Sequence, residues 1–436
     1  QAIPALDYYL APGVLKTFKK QFKQTIYDFL DLEGFIPIIN IDRIIREIDK
    51  VESIELDVKD FSDYQKGSSR IHEIFEKSYE KALQKTDRAT QQAMEAFIHN
   101  LNTMHSRAGA QVPFSSVNFG TDTTPEGRMV IKNFLLSEDC GLGKGETPIF
   151  PVSIFKVKEG VNYNKEDPNY DLFKLACKVS AKRLFPNFAF IDAPFNKKYY
   201  KEGDFNTEIA YMGCRTRVIG DVTSPDNEVV TSRGNLSFTT INLPRLGIKY
   251  GIALKERDKA DMKGFYQELG EIMDMVRDQL LERFEVQCSK HNYNFPFLLG
   301  QGIWANGEKL KPTDRLRKVW KHGTLSTGFI GLAECLKALT GKHQGESEES
   351  QKLGLEIIKF MRNRCDENSK KYNLNFTCLA TPAEGLSGRF TSIDRAIYGK
   401  IKGVTDRNYY TNSFHIPVYY NITIAEKLHL EAPYHA

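Results

Sequence analysis

At 436 residues the chain is too long for a small module and long enough for a substantial core, as one large α/β domain or two ordinary ones. Its 41% hydrophobic and 27% charged residues exclude a disordered or fibrous class. A formal charge of +4 is too small for an electrostatic nucleic-acid footprint and leaves small anions as the ligands to look for.

Seven cysteines, Cys140, Cys177, Cys214, Cys288, Cys335, Cys365 and Cys378, are odd in number, widely spaced and without a C-x-x-C pair. That argues against a disulfide framework and a zinc knuckle, and a reducing cytoplasm is the expected setting. No charged stretch followed by an apolar one marks export, and no apolar run approaches the roughly 18 residues of a membrane span. The first residue is Gln, so the chain is expected to be a piece of something longer.

In "VLKTFKKQFKQTIYDFL", Val14, Phe18, Phe22, Ile26 and Leu30 recur every fourth residue, with Lys16, Lys19, Lys20 and Lys23 on the other side. This is the pattern of an amphipathic helix. A second periodic stretch, from about Ser69 to His105, runs through Ile71, Ile74, Phe75, Ala82, Met94, Phe97, Ile98 and Leu101. As one helix it spans roughly 55 Å. Core helices and a dimer interface are both open readings, and the first stripe and the long helix are expected to bury against a symmetry mate.

From about 111 to 260 the character changes to short β-prone runs, "VPFSSVNFG", "PIFPVSIFKV", "FPNFAFIDA" and "LSFTTINL", between glycine and proline loops. From about 263 helices return as "FYQELGEIMDMVRDQLLERF", "STGFIGLAECLKALTG" and "ESQKLGLEIIKFMRNRC", each leading into a turn or a strand such as "NFTCLATP". Helix and strand alternating in this way favour a mostly parallel sheet, open or closed.

"GLGKGETP" at 141 to 148 has neither the spacing of a dinucleotide fingerprint nor that of a P-loop. None of the nine histidines has a metal-ligand spacing, and no metal is expected in this chain. "TPAEGLSGRF" at 381 to 390 places Ala383, Gly385, Ser387 and Gly388 between a β-prone run and a helical one. Small residues at a helix start let backbone amides approach an anion, so a phosphate cradle and an ordinary capped loop are both open. "YMGCRTRV" sets Cys214 between Gly213 and two arginines, Arg215 and Arg217, whose charge favours a thiolate if it lies near the sulfur. Spacing alone leaves a nucleophile, a radical site and a core filler equally describable.

Taken together, "SRAGAQVPFSSVNFGTD", "GETPIFP", "DPNYDLF", "YMGCRTRV", "RGNLSFTTINLPRLGI", "TLSTGFIGLAE" and "TPAEGLSGRFTSIDR" resemble the anaerobic, class III ribonucleoside-triphosphate reductases, a glycyl radical enzyme family. The resemblance runs through essentially the whole chain. It implies a ten-stranded α/β barrel of two antiparallel five-stranded halves, a central finger loop carrying the reactive cysteine, and an N-terminal helical layer. Residues 1–110 become the helical dimer and effector surface, and 111–436 the barrel core.

The resemblance makes Cys214 the thiyl radical residue that takes the 3′-hydrogen of a ribonucleotide, so that the 2′-hydroxyl leaves as water. It makes Asn235 a neutral hydrogen-bonding group at the reacting centre and points to formate as reductant. Ser115 and Ser116 become ribose and phosphate contacts, and Ala383, Glu384, Gly385, Ser387 and Gly388 the phosphate loop. The implied partners are a ribonucleoside triphosphate, dNTP and ATP effectors, a second copy of the chain and an iron-sulfur, S-adenosylmethionine-dependent activase, with no nucleic acid and no membrane.

The family's radical glycine, its four-cysteine zinc site, its second active-site cysteine and its ATP cone have no counterpart here. The chain is therefore expected to be an internal catalytic-core segment that does not turn over alone, with radical glycine and structural zinc outside it. The competing readings are a non-catalytic nucleotide-binding dimerisation module and another glycyl radical enzyme, of the formate-lyase or dehydratase type.

Overall fold

The computed structural model describes residues 2–36, 40–59, 61, 69–104, 112–213, 216–217, 220–225 and 230–435. The chain divides into two compact units, Gln1–Lys197 with Ala210–Cys214, and Lys198–Ile209 with Arg215–Ala436.

The first unit contains, in chain order, β1 (Ala2–Ile3), α1 (Leu6–Leu32), α2 (Ile41–Lys50), α3 (Ser69–Thr103), β2 (Ser116–Phe119), α4 (Pro125–Cys140), β3 (Val152–Val157), α5 (Tyr170–Arg183), β4 (Asn187–Phe190), α6 (Pro194–Lys197) and β5 (Tyr211–Met212). Strands β1 to β4 form one parallel sheet in sequence order, with Ser116 opposite Val152 and Ile154 opposite Asn187. All six residues of β3 are buried, as a strand covered on both faces requires. Helix α3 matches the long periodic stretch.

The apolar stripe of α1 corrects one expectation. Val14, Phe18, Phe22, Ile26 and Leu30 are buried in the unit's own core together with Ile71, Ile74, Phe75 and Ala82 of α3. Phe18 and Phe22 stack with ring centroids 5.5 Å apart. The stripe is satisfied within one chain because α3 presents a matching apolar row, and it is not left for a symmetry mate.

The loop after β2 is held by an internal carboxylate. Asp7 Oδ2 accepts the backbone N–H groups of Gly120, Thr121 and Asp122 at 2.8, 3.1 and 3.2 Å. Thr124 then caps α4, its hydroxyl accepting from Gly127 N–H, with Pro125 at the start of the helix.

The second unit contains β6 (Thr216–Arg217), β7 (Asn235–Asn242), α7 (Leu243–Tyr250), α8 (Met262–Cys288), α9 (Arg317–Trp320), β8 (Thr324–Ile330), α10 (Leu332–Thr340), α11 (Glu348–Tyr372), β9 (Asn375–Ala380), α12 (Gly385–Tyr398) and α13 (Ile424–Glu431). Strands β7, β8 and β9 make a parallel sheet with β8 in the centre. Part of "STGFIGLAECLKALTG", read above as helix, is strand: Ser326 to Ile330 belong to β8, whose seven residues are all buried. A central parallel strand shows no alternation, so its apolar run looks like a buried helix. Gly331, at φ 73°, turns the chain into α10.

Helices α7 and α10 approach closely. A Cβ on Gly247 would lie 2.6 Å from the Cys335 carbonyl oxygen, and one on Gly251 2.1 Å from that of Ala338. At the other end of α7, the buried Asp394 carboxylate of α12 accepts from Arg245 Nε at 2.7 Å, Asn242 Nδ2 at 2.8 Å and the Tyr410 hydroxyl at 2.9 Å. This ties α12 to the end of β7. The fold is mixed α/β, with four and three parallel strands in these two sheets.

Candidate active site

In the first unit the expected contacts sit on β2 and just before it. The Ser115 carbonyl accepts Val152 N–H at 2.9 Å, while its hydroxyl oxygen is buried with no hydrogen-bond partner among the described residues. Buried polar atoms are rarely left in this state, so Ser115 Oγ is available to a ligand. Ser116 Oγ instead accepts the N–H of Gly213 at 3.0 Å. It is engaged by the segment that leads to Cys214.

Beside it stands Asn118, fully buried, whose Oδ1 accepts Tyr211 N–H at 2.8 Å and whose Nδ2 donates to the Tyr211 carbonyl at 2.9 Å. Gly213 has φ 62°, and a Cβ there would meet the Phe114 ring at 3.1 Å. A glycine is therefore required at this turn. Cys214 and Arg215 lie outside the described residues.

In the second unit Asn235 opens β7 at an irregularity. Asn235 pairs with Thr324 and Ser237 with Leu325, so Leu236 is an extra residue in the ladder. A bulge of this kind re-aims the side chain beside it. Asn235 Oδ1 is buried and has no hydrogen-bond partner among the described residues.

The segment before it is anchored by buried polar groups. Arg233 Nε donates to the His322 carbonyl at 2.9 Å and its Nη2 to the Gly220 carbonyl at 2.7 Å. Asp221 Oδ2 meets His322 Nδ1 at 2.7 Å, and Asp221 Oδ1 accepts from the Thr223 hydroxyl at 2.8 Å and Asn375 Nδ2 at 3.1 Å. Burial alone would raise the Asp221 carboxyl, but these three hydrogen bonds and the Arg233 charge hold it well below the usual carboxylate range.

The loop 381–384 leaves the opposite, C-terminal edge of the same sheet. Thr381 is placed by its hydroxyl contact with Thr240 at 3.0 Å across β8, where Gly328 leaves room: a Cβ there would lie 2.1 Å from Thr381 Oγ1. Ala383 N–H donates to Asn412 Oδ1 at 2.8 Å. Glu384 precedes α12 without capping it through its side chain. The Ser387 hydroxyl donates to the Glu384 carbonyl at 2.7 Å.

The N–H groups of Gly385 and Leu386 find no acceptor among the described residues, and the space beside Gly385 is open. Free first-turn amides facing open space suit an anion. Thr324 pairs with both Asn235 and Asn375, and Thr381 lies six residues beyond Asn375. The loop therefore starts about 20 Å from the Asn235 level along the strands. Among the described residues no group of three or more His, Cys, Asp or Glu could hold a metal ion, and no helix is long and apolar enough to cross a membrane.

A sequence profile described as anaerobic ribonucleoside-triphosphate reductase matches residues 1–436. The chain belongs to this family. Over 357 residues it is 35% identical to the anaerobic ribonucleoside-triphosphate reductase of enterobacteria phage T4, covering 81% of this chain and 55% of that protein. It is 31% identical to the Escherichia coli reductase over 346 residues, 78% of this chain and 46% of that one. It thus spans about half the length of these curated relatives.

The fold likeness extends to the anaerobic ribonucleotide reductase of Thermotoga maritima solved with dATP and CTP, at TM-score 0.53 and 14% identity over 80% of this chain and 54% of that one. A second Thermotoga maritima structure, with citrate in its active site, matches at TM-score 0.52 and 14% identity over 80% and 58%. Within the family pattern, sequence reasoning passed over Asn118 and the cluster of Asp221, Arg233 and His322. Asn118 lies inside "PFSSVNFG", two residues beyond Ser116, and that same-face spacing was its one available signal.

Proposed function

We propose that this chain is the catalytic core of an enzyme that reduces ribonucleoside triphosphates to deoxyribonucleoside triphosphates with formate as reductant, and that it does not turn over alone. Family membership supports the reaction. The observation that carries the site is Asn235 Oδ1, a buried acceptor without a partner among the described residues, presented at a bulge where β7 begins.

A glycyl radical elsewhere in the protein, installed by an iron-sulfur, S-adenosylmethionine-dependent activase, supplies the one-electron oxidation of the thiol. Cys214 as a thiyl takes the 3′-hydrogen, forming S–H and leaving the unpaired electron on the ribose. The 2′-hydroxyl takes up a proton from solvent and departs as water, formate gives two electrons and a proton as it becomes carbon dioxide so that C2′ gains a hydrogen in place of the hydroxyl, and the S–H hydrogen returns to C3′, leaving the thiyl again. Asn235 hydrogen-bonds the reacting ribose or formate while staying neutral. Ser115 contacts the ribose or phosphates, and the free amides at the start of α12, with Ala383, Glu384, Gly385, Ser387 and Gly388 shaping that loop, form a phosphate seat about 20 Å along the strands from the Asn235 level, beyond the reach of a triphosphate whose ribose lies at Asn235.

The barrel of two five-stranded halves with a finger loop is the architecture we propose for the intact protein, in the cytoplasm, with structural zinc outside this chain. Residues 1–110 form the dimer and effector surface. A concavity of about 800 Å³ on α1 and α2, lined by Lys16, Lys19, Lys20, Lys23 and Tyr27 among others, supports a triphosphate effector there. Cation and ring suit phosphate and base respectively.

Cys214→Ser in the intact, radical-bearing protein tests the reading. Nucleotide reduction should vanish while triphosphate binding and the stored radical persist, because an alcohol O–H bond is too strong to yield a useful radical. Substantial deoxynucleotide formation by that variant would refute it and favour the nucleotide-binding module.

A further inference from the structure

We propose that Asn118, seconded by Ser116, is a positioning residue that sets the direction in which the chain delivers Cys214. The inference rests on the reading of Cys214 as the reacting thiol, and adds residues that reading does not contain. Side chains two apart on a strand share a face, and Ser116 and Asn118 stand two apart on β2, as Gly213 and Tyr211 do on the segment they hold. Asn118 bonds Tyr211 and Ser116 bonds Gly213, so the segment crosses β2 in the antiparallel sense.

The carboxamide of Asn118 does for Tyr211 what a neighbouring strand would do. It accepts from the N–H at 2.8 Å, donates to the C=O at 2.9 Å, and donates again to the Ile3 carbonyl at 3.2 Å. Aspartate could keep the first bond and not the other two; leucine could keep none. With the amides of 211 and 213 fixed, the left-handed turn at Gly213 starts from a set orientation immediately before Cys214. Hydrogen abstraction depends steeply on such placement, since a misplacement near 1 Å costs on the order of a hundredfold in rate.

The test compares Asn118→Asp, Ser116→Ala and Cys214→Ser in the intact, radical-bearing protein. For Asn118→Asp, kcat should fall on the order of a hundredfold with KM for the ribonucleoside triphosphate and the glycyl radical signal unchanged. Ser116→Ala should show the same split in milder form, and carries the test if Asn118→Asp does not fold. Independently of turnover, peptide mapping should show the iodoacetamide alkylation rate of Cys214 altered several-fold in both variants, with that of exposed Cys140 unchanged.

Unchanged kcat and unchanged Cys214 labelling, in a background where Cys214→Ser abolishes reduction, would overturn the inference. So would a rise in KM at constant kcat, which marks a substrate contact instead. Should Cys214→Ser retain reduction, the underlying reading fails, and the labelling rates alone decide whether Asn118 positions the thiol.

Discussion

Glu138 is fully buried on α4, and burial pushes its carboxyl up to about 8 from an ordinary 4.5. The Ser153 hydroxyl beside it offsets only part of that rise. Because the folded-state value is raised, the folded chain holds a proton that the unfolded chain loses between those two values. Stability from this group is therefore full below about 4.5, falls as pH rises to about 8, and is flat beyond. Glu138→Gln should remove this loss, adding on the order of a few kcal/mol near pH 8 and little near pH 4. Urea unfolding at both ends of the window checks it, and equal gains at both would point to packing. At Asn235 the expectation concerns rate: Asn235→Ala should lower turnover in the intact protein with less loss of triphosphate binding, read as kcat against KM. The expectation for Asn235 comes from the family pattern. Asn118 was not legible, because its partner Tyr211 is 93 positions away and no local spacing announces a bond of that range.

At the scale of elements, α1 and α3 were readable because a period near four survives in the sequence wherever one helix face is buried. Their bounds, Leu6–Leu32 and Ser69–Thr103, enclose the periodic residues. Strand β8 was unreadable for the opposite reason, since burial on both faces erases the period. Helices α4 and α5 were passed over inside a region read as short strands, although Thr124 and Pro125 carry the ordinary signature of a helix start. The approach of α7 to α10 is set by glycines whose Cβ would collide with backbone. Gly247→Ala should therefore force the helices apart and cost about 1–3 kcal/mol, seen as a lower denaturation midpoint with unchanged slope. An unchanged midpoint would mean that α7 can shift freely.

For the molecule as a whole, the burial of the α1 stripe changes what a dimer test can use. We expect the intact protein to be a homodimer by light scattering at micromolar concentration, through surfaces other than that stripe. Phe22 is fully buried in the first unit's core. Phe22→Glu should therefore unfold that unit, with loss of helical circular dichroism, and not yield a folded monomer. A folded monomer from that substitution would return the stripe to the interface.

Parallel sheets usually receive anionic ligands at the carboxyl ends of their strands, and the end of β2 offers three converging amides of that kind. In this protein the seat is already taken: Asp7 acts as a tethered competitor for those amides. The first unit thereby keeps its own anion nest occupied by an internal carboxylate. Asp7→Gly should unmask the nest, and sulfate, which the parent should ignore there, should then protect the Gly120–Asp122 amides from hydrogen exchange.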